Sequence, residues 1–217
     1  LGDVYKRQVL SDSEATDPNY QSNDYADLLI NDSTNEVLES YHCFDRLYPA
    51  SITKVMTALL TLEHGNMDDE ITLKHDINLT ENGAVISTLT KGDTVTVGQV
   101  FHTMLIKSAN DCAVILAEYV AGSESKFIDM MNAKAKELGA THTHFVNPNG
   151  LHDNNHYTTA YDLYLIFKEA VKYDTFVDTV SSKDYTMTYT TPKKTQINEY
   201  MQSTNCLLYT SPSPRDA

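Results

Sequence analysis

The chain has 217 residues, of which 16 are basic and 30 acidic, giving a formal net charge of −14 at pH 7. So acidic a chain argues against a nucleic acid partner and against a polybasic site for anionic membrane surfaces. No run of 18 apolar residues occurs, so no segment reads as a transmembrane helix.

The two ends differ from the rest and mirror one another. If Leu1–Gln8 (LGDVYKRQ) is encoded as CTC GGA GAT GTG TAT AAG AGA CAG, the reverse complement, read one base in, spells Cys-Leu-Leu-Tyr-Thr-Ser-Pro. That is Cys206–Pro212, within the terminal stretch CLLYTSPSPRDA. Both ends resemble a translated adapter from transposase-based sequencing libraries, so residues 1–8 and 206–217 are set aside from fold reasoning. Residues 9–205 hold 13 basic and 28 acidic side chains, and their number suits one domain or most of one. They read as an open-ended piece of a longer protein.

Val9–Asp24 is acidic, rich in Ser, Asp and Asn, and without periodicity, as in a flexible, solvated leader. Tyr25–Ile30 and Glu36–Tyr41 flank the turn-forming cluster Asn31–Asn35 and predict a β-hairpin. Next comes Tyr48–Gly65, YPASITKVMTALLTLEHG. Pro49 halts what precedes it, Ser51 suits an N-cap or first turn, and Val55, Met56, Leu59, Leu60 and Leu62 recur at helical spacing before Gly65. Asp68–Thr90 reads as short strands or loops, with a turn at Lys91-Gly92-Asp93. Helices are expected over Val97–Ile106, Asn110–Val120 and Ser125–Leu138, the last stopped by Gly139. Thr141–Asn155 is a loop. Thr158–Lys172 predicts a helix with Leu163, Ile166, Phe167 and Ala170 on its inner side, and Tyr185–Thr191 alternates like a strand. Cys112 falls in an apolar helix, where a buried free thiol is the ordinary reading, and pairing with Cys43 stays open.

Chemistry enters with Ser51 and Lys54. Three residues apart on one helix, their side chains share a face at about 5–6 Å between Cβ atoms. A serine is a weak nucleophile until a base takes its proton, and a desolvated lysine with a lowered pKa can be that base. The helix N-terminus places a positive dipole end where negative charge develops. The second element is Ser108-Ala109-Asn110, at a boundary between two expected helices. Its serine can relay a proton to or from the lysine, and its amide can hold a substrate carbonyl or orient the lysine. Taken singly, each pattern also fits ordinary capping.

Three stretches together carry a family likeness: YPASITKVMTALLTLE, LIKSANDCAVILAEYVAGS and MNAKAKELGATHTHFVNPNGLHDNNHYTTAYDL. They resemble the low-mass penicillin-binding proteins that act as serine D-Ala-D-Ala carboxypeptidases, over about Tyr25 to Asn205. The resemblance implies an α+β fold of the β-lactamase/transpeptidase kind, with helices packed on a mainly antiparallel sheet. It makes 25–205 an incomplete catalytic domain whose C-terminal strands are missing. It implies Ser51 as the acylated nucleophile, Lys54 as its general base, Ser108 as a proton relay and Asn110 as substrate-binding. The implied partners are peptidoglycan stem peptides ending in D-Ala-D-Ala, with β-lactams as inhibitors and no cofactor. The implied location is extracytoplasmic, with a membrane anchor conceivable in the full-length protein but not within this sequence.

The family's third motif, Lys-Thr-Gly, is expected beyond Asn205, and Ser203-Thr204-Asn205 resembles the Asn-rich segment before it. Lys194-Thr195-Gln196 is a decoy that lacks the glycine. On this reading the fragment itself is inactive. His152-Asp153-Asn154-Asn155-His156 and His142-Thr143-His144 are not spaced for a metal on a helix, and read as a hydrogen-bonded loop shaping the cleft wall. Tyr157–Asp162 reads as capping and packing. Two alternatives stand beside the carboxypeptidase. A β-lactamase-like hydrolase would want Asp at position 109 and a glutamate for deacylation. A non-catalytic wall-binding relative would not need the intact Ser51, Lys54, Ser108 and Asn110.

Overall fold

The computed structural model describes residues 25–79, 81 and 83–205. The expected leader and both adapter-like ends lie outside the described residues. The fold is α+β, as expected, and it is built around one helix, α1 (Lys54–His64), which a 3-10 turn at Ala50–Thr53 leads into. Every side chain from Lys54 to Thr61 is buried, so α1 is a core helix enclosed on all sides rather than an amphipathic surface one. Its polar residues therefore need partners. Thr57 donates to the Pro148 carbonyl at 2.6 Å, and Thr61 donates back to the Thr57 carbonyl at 2.8 Å.

Around α1 pack α2 (Val97–Ile106), α3 (Asn110–Ala121), α4 (Glu124–Leu138) and α5 (Ala160–Ala170). Their starts follow the capping chemistry of the sequence. Thr96, Ser123 and Thr159 accept the N–H groups of Gln99, Lys126 and Asp162. α3 and α4 stop on Gly122 and Gly139, both left-handed at φ 77° and 85°. Gly65 also ends its helix, but in an extended conformation (φ −110°).

One face of the bundle meets a four-stranded antiparallel sheet in the order β3 (Glu70–Thr72), β4 (Thr94–Thr96), β5 (Asp184–Thr190), β6 (Gln196–Gln202). α2 packs against β5, where Met187 is fully buried and the His102 ring stacks on Tyr185 at 4.6 Å. The N-terminal hairpin, β1 (Asp27–Asn31) with β2 (Glu36–Tyr41), forms a separate two-stranded sheet among the described residues. It is tied to α5 by Tyr164 and Lys168, which both reach Asp32. Leu29 and Leu38 on the hairpin stay about half exposed.

Three elements escape sequence reading: β4, β6 and α6 (Asp174–Val180). The inner face of α5 also needs correction. Tyr161, Leu165, Ile166 and Ala170 are buried there, whereas Phe167 is 38% exposed and Leu163 only half-buried. The expected stripe was rotated because Tyr161 and Asp162, not Leu163, lead the helix inward. Cys43 and Cys112 are both buried and are not joined in a disulfide.

Candidate active site

Ser51 is not an N-cap. It lies inside the 3-10 turn, which opens at Pro49, and its side chain is exposed at the mouth of a cleft of about 480 Å³. Lys54 is the first residue of α1, one turn further on, and only 2% exposed. The turn thus places a reachable hydroxyl above a dry amine. Lys54 Nζ lies 3.0 Å from Ser51 Oγ, 2.9 Å from Asn110 Oδ1 and 2.8 Å from the Asn149 carbonyl oxygen. All three neighbours are neutral. With no carboxylate in direct contact, desolvation dominates and lowers the Lys54 pKa from 10.5 to about 8.

The geometry serves both protonation states. An ammonium donates three hydrogen bonds, one to each neighbour. A neutral amine has two N–H groups and one lone pair. Asn110 Oδ1 and the Asn149 carbonyl can only accept, so they take the two N–H groups and leave the lone pair for the Ser51 O–H. A base held this way is aimed at the hydroxyl before any substrate arrives.

Asn110 is itself fixed. Its backbone N–H and its Nδ2 both donate to the Val85 carbonyl, at 2.8 and 3.0 Å, which turns Oδ1 toward Lys54. Next to it, buried Asp111 accepts the N–H and hydroxyl of Ser87. Ser108 lines the same cleft as Ser51 and Lys54, and its backbone is left-handed at φ 60°. That conformation is costly for a residue with a Cβ, about 1–3 kcal/mol, and such strain gathers at functional positions. Ala50, beside Ser51, is left-handed as well at φ 48°. Ser203, Thr204 and Asn205 line the cleft too. Lys194 and Thr195 do not. They sit exposed in the turn joining β5 to β6, in keeping with their reading as a decoy.

The histidine-rich loop, expected in the cleft wall, supplies none of the residues that line the cleft and reaches the site through Lys54 instead. Asn147 Oδ1 accepts the Gly150 N–H at 2.7 Å, and this tight turn presents the Asn149 carbonyl to Lys54. His156 is buried between the Val146 N–H, which its Nδ1 accepts at 3.1 Å, and Thr53 Oγ1, 2.7 Å from Nε2. Since Nδ1 accepts, Nε2 carries the proton and donates to Thr53. Burial lowers the His156 pKa from 6.5 to about 4, which keeps the ring neutral. Sequence reasoning missed Asn149 and Val85, because each acts through a backbone carbonyl that every residue possesses. Thr159 caps α5, as expected for that segment.

An exposed serine, a buried low-pKa lysine and an asparagine thus come together on a sheet-and-helix frame. The Streptomyces K15 DD-transpeptidase superposes with a TM-score of 0.77 at 28% identity, over 85% of this chain and 74% of that one. A family model described as D-alanyl-D-alanine carboxypeptidase matches residues 12–213, and the chain belongs to that family, the S11 peptidases. D-alanyl-D-alanine carboxypeptidase DacF of Bacillus subtilis is 37% identical over 163 residues, which are 73% of this chain and 42% of that protein. DacC of Escherichia coli is 32% identical over 187 residues, 82% of this chain and 46% of that protein. A D-alanyl-D-alanine endopeptidase of Escherichia coli is 33% identical over 184 residues, 84% of this chain and 57% of that protein. The chain therefore spans roughly half the length of these curated relatives.

Proposed function

We propose that the protein is a serine D-Ala-D-Ala carboxypeptidase that trims the terminal D-alanine from peptidoglycan stem peptides outside the cytoplasmic membrane. The observation that carries this reading is the hydrogen-bonding of Lys54 to Ser51, Asn110 and the Asn149 carbonyl. With a pKa of about 8, roughly a tenth of Lys54 is neutral at pH 7. Neutral Lys54 takes the Ser51 proton as Oγ attacks the carbonyl between the two D-alanines. The carbonyl π pair moves onto oxygen, where backbone N–H groups at the cleft stabilise the negative charge. As the tetrahedral adduct collapses, the C–N bond breaks and the leaving amine takes a proton from Lys54, with the Ser108 hydroxyl as relay. Asn110 holds Lys54 in place and takes part in binding substrate. Water then attacks the ester on Ser51 and releases the shortened peptide.

β-Lactams, which mimic the dipeptide, acylate Ser51 by the same route. The described residues lining the cleft include no carboxylate, and Asp111 is committed to Ser87. No such group stands ready to hasten hydrolysis of the acyl-enzyme, which favours a slowly released penicillin over a β-lactamase. The pre-aimed base likewise favours an enzyme over a non-catalytic relative. The test is to expose the full-length gene product to a labelled penicillin and map the adduct by mass spectrometry, alongside release of D-alanine from a D-Ala-D-Ala peptide. Label on Ser51, lost in Ser51→Ala, is the expected result. Label elsewhere, or none, would refute the acyl-enzyme.

A further inference from the structure

On β6, Ile197, Glu199 and Met201 alternate onto the inner, partly buried face, so one carboxylate stands in an otherwise apolar row. The Glu199 side chain is only 12% exposed. A charge held there needs partners, and it has them on both oxygens. Oε1 accepts Lys107 Nζ at 2.6 Å. Oε2 accepts the Thr88 hydroxyl at 2.5 Å and the Thr88 N–H at 3.2 Å. Because the Thr88 hydroxyl donates to Glu199, the Tyr189 hydroxyl, 3.1 Å away, donates to Thr88. Burial opposes ionisation, yet the bonds from Lys107 and Thr88 prevail and hold the Glu199 carboxyl below its usual range.

Both partners adjoin groups that set the site: Ser108, which lines the cleft, and the ties of Asn110, which holds Lys54. Lys107 immediately precedes Ser108, whose left-handed backbone must be held from outside. Thr88 immediately follows Ser87, which binds Asp111, and lies three residues from Val85, whose carbonyl fixes Asn110. The 84–90 segment belongs to no helix or strand, so it depends on such ties for its position. One carboxylate on the sheet thus gathers the two segments that set Ser108 and Asn110.

We infer that Glu199 is a positioning residue that clamps Lys107 and Thr88 and so holds Asn110 on Lys54 and Ser108 in the cleft that Lys54 lines. Its importance for acylation rests on the acyl-enzyme reading; the clamp does not. Two readouts separate them in the full-length gene product. The first is hydrogen exchange at the Asn110 amide, which is bonded to the Val85 carbonyl. The second is the rate of Ser51 acylation by a labelled penicillin.

In Glu199→Ala the Asn110 amide is expected to exchange about tenfold faster or more, while amides in the middle of α1 keep wild-type protection. Acylation of the folded protein is expected to slow by about tenfold or more. Lys107→Met removes one arm and should fall between the two, so the inference does not hang on a variant that fails to fold. Exchange at Asn110 and acylation both within about twofold of wild type would overturn it. So would equal loosening of α1 and Asn110, or a lowered melting temperature with acylation unchanged, since a pair that only stabilises the fold behaves that way. If the wild-type protein takes no penicillin at all, the functional reading falls and the exchange comparison still judges the clamp.

Discussion

The side-chain nitrogen of Lys54 lies 2.8 Å from the carbonyl oxygen of Asn149, 95 residues further along the chain. That bond joins the central helix to a loop with no regular secondary structure, and it makes the loop part of the base. An acceptor from the backbone cannot rotate away or ionise, so Lys54 keeps two fixed acceptors and a lone pair directed at Ser51.

Replacement of Lys54 by Ala should therefore abolish chemistry without abolishing the fold. Acid–base assistance of this kind contributes about 10²–10⁴ in rate. We expect penicillin acylation of Lys54→Ala to slow by that factor, and circular dichroism to remain that of the wild type. Lys54→Arg should do no better, because a guanidinium stays protonated. Acylation at near wild-type rate in either variant would remove Lys54 from the role of base.

The sequence made the helices of the site readable and left its ties hidden. Val97–Ile106 came out to the residue, since its apolar spacing, Thr96 cap and flanking polar residues all agree. Ser51, Lys54, Ser108 and Asn110 stood out as candidates because their side-chain chemistry falls at motif spacing, and the structure brings Ser51 and Asn110 onto Lys54 and Ser108 into the same cleft. β4 is three residues long and runs straight into α2, so it offers too little alternation to register. β6 breaks its alternation because Glu199 stands on the inner face, where it serves a contact in space, while Tyr200 stands on the outer one. The Asn149 and Val85 carbonyls carry no sequence signature of any kind.

Burying Lys54 also sets a pH dependence of stability. Its folded pKa of about 8 lies below the unfolded value of 10.5. Between these values the unfolded chain binds more protons, so stability rises with pH. Full neutralisation is worth about 3 kcal/mol at most, from the size of the shift. Denaturant melts of wild type and Lys54→Met between pH 7 and 10.5 should show the wild type gaining on the variant as pH rises. A constant difference across that range would show that Lys54 is not desolvated as described.

His156 predicts a dependence of the same sign on the acid side. Its folded pKa of about 4 is lowered from 6.5 by burial. The neutral ring's contribution is complete above pH 6.5 and is lost as pH falls toward 4, because the unfolded chain takes up the proton first. The loss amounts to about 3 kcal/mol at most. His156→Gln, which keeps a donor for Thr53, should flatten the stability profile between pH 6.5 and 4 relative to wild type. If the two profiles run parallel, the ring is not held neutral in the fold.

Gly150 gives the sharpest steric prediction. Its backbone is left-handed at φ 87°, and a Cβ placed there would stand 1.8 Å from the Ala50 carbonyl oxygen and 2.9 Å from Thr53 Oγ1. The loop carrying Asn149 therefore rests directly on the turn carrying Ser51, and a methyl group would force them apart. Gly122 is the control. It is left-handed too, at φ 77°, but a Cβ there meets nothing within 4 Å. Gly122→Ala should cost only the backbone strain, about 1 kcal/mol. Gly150→Ala adds overpacking of about 1–3 kcal/mol, and because the shift pulls the Asn149 carbonyl from Lys54, acylation should slow as well. Equal destabilisation of the two variants, with acylation of Gly150→Ala intact, would mean that the loop does not position the base.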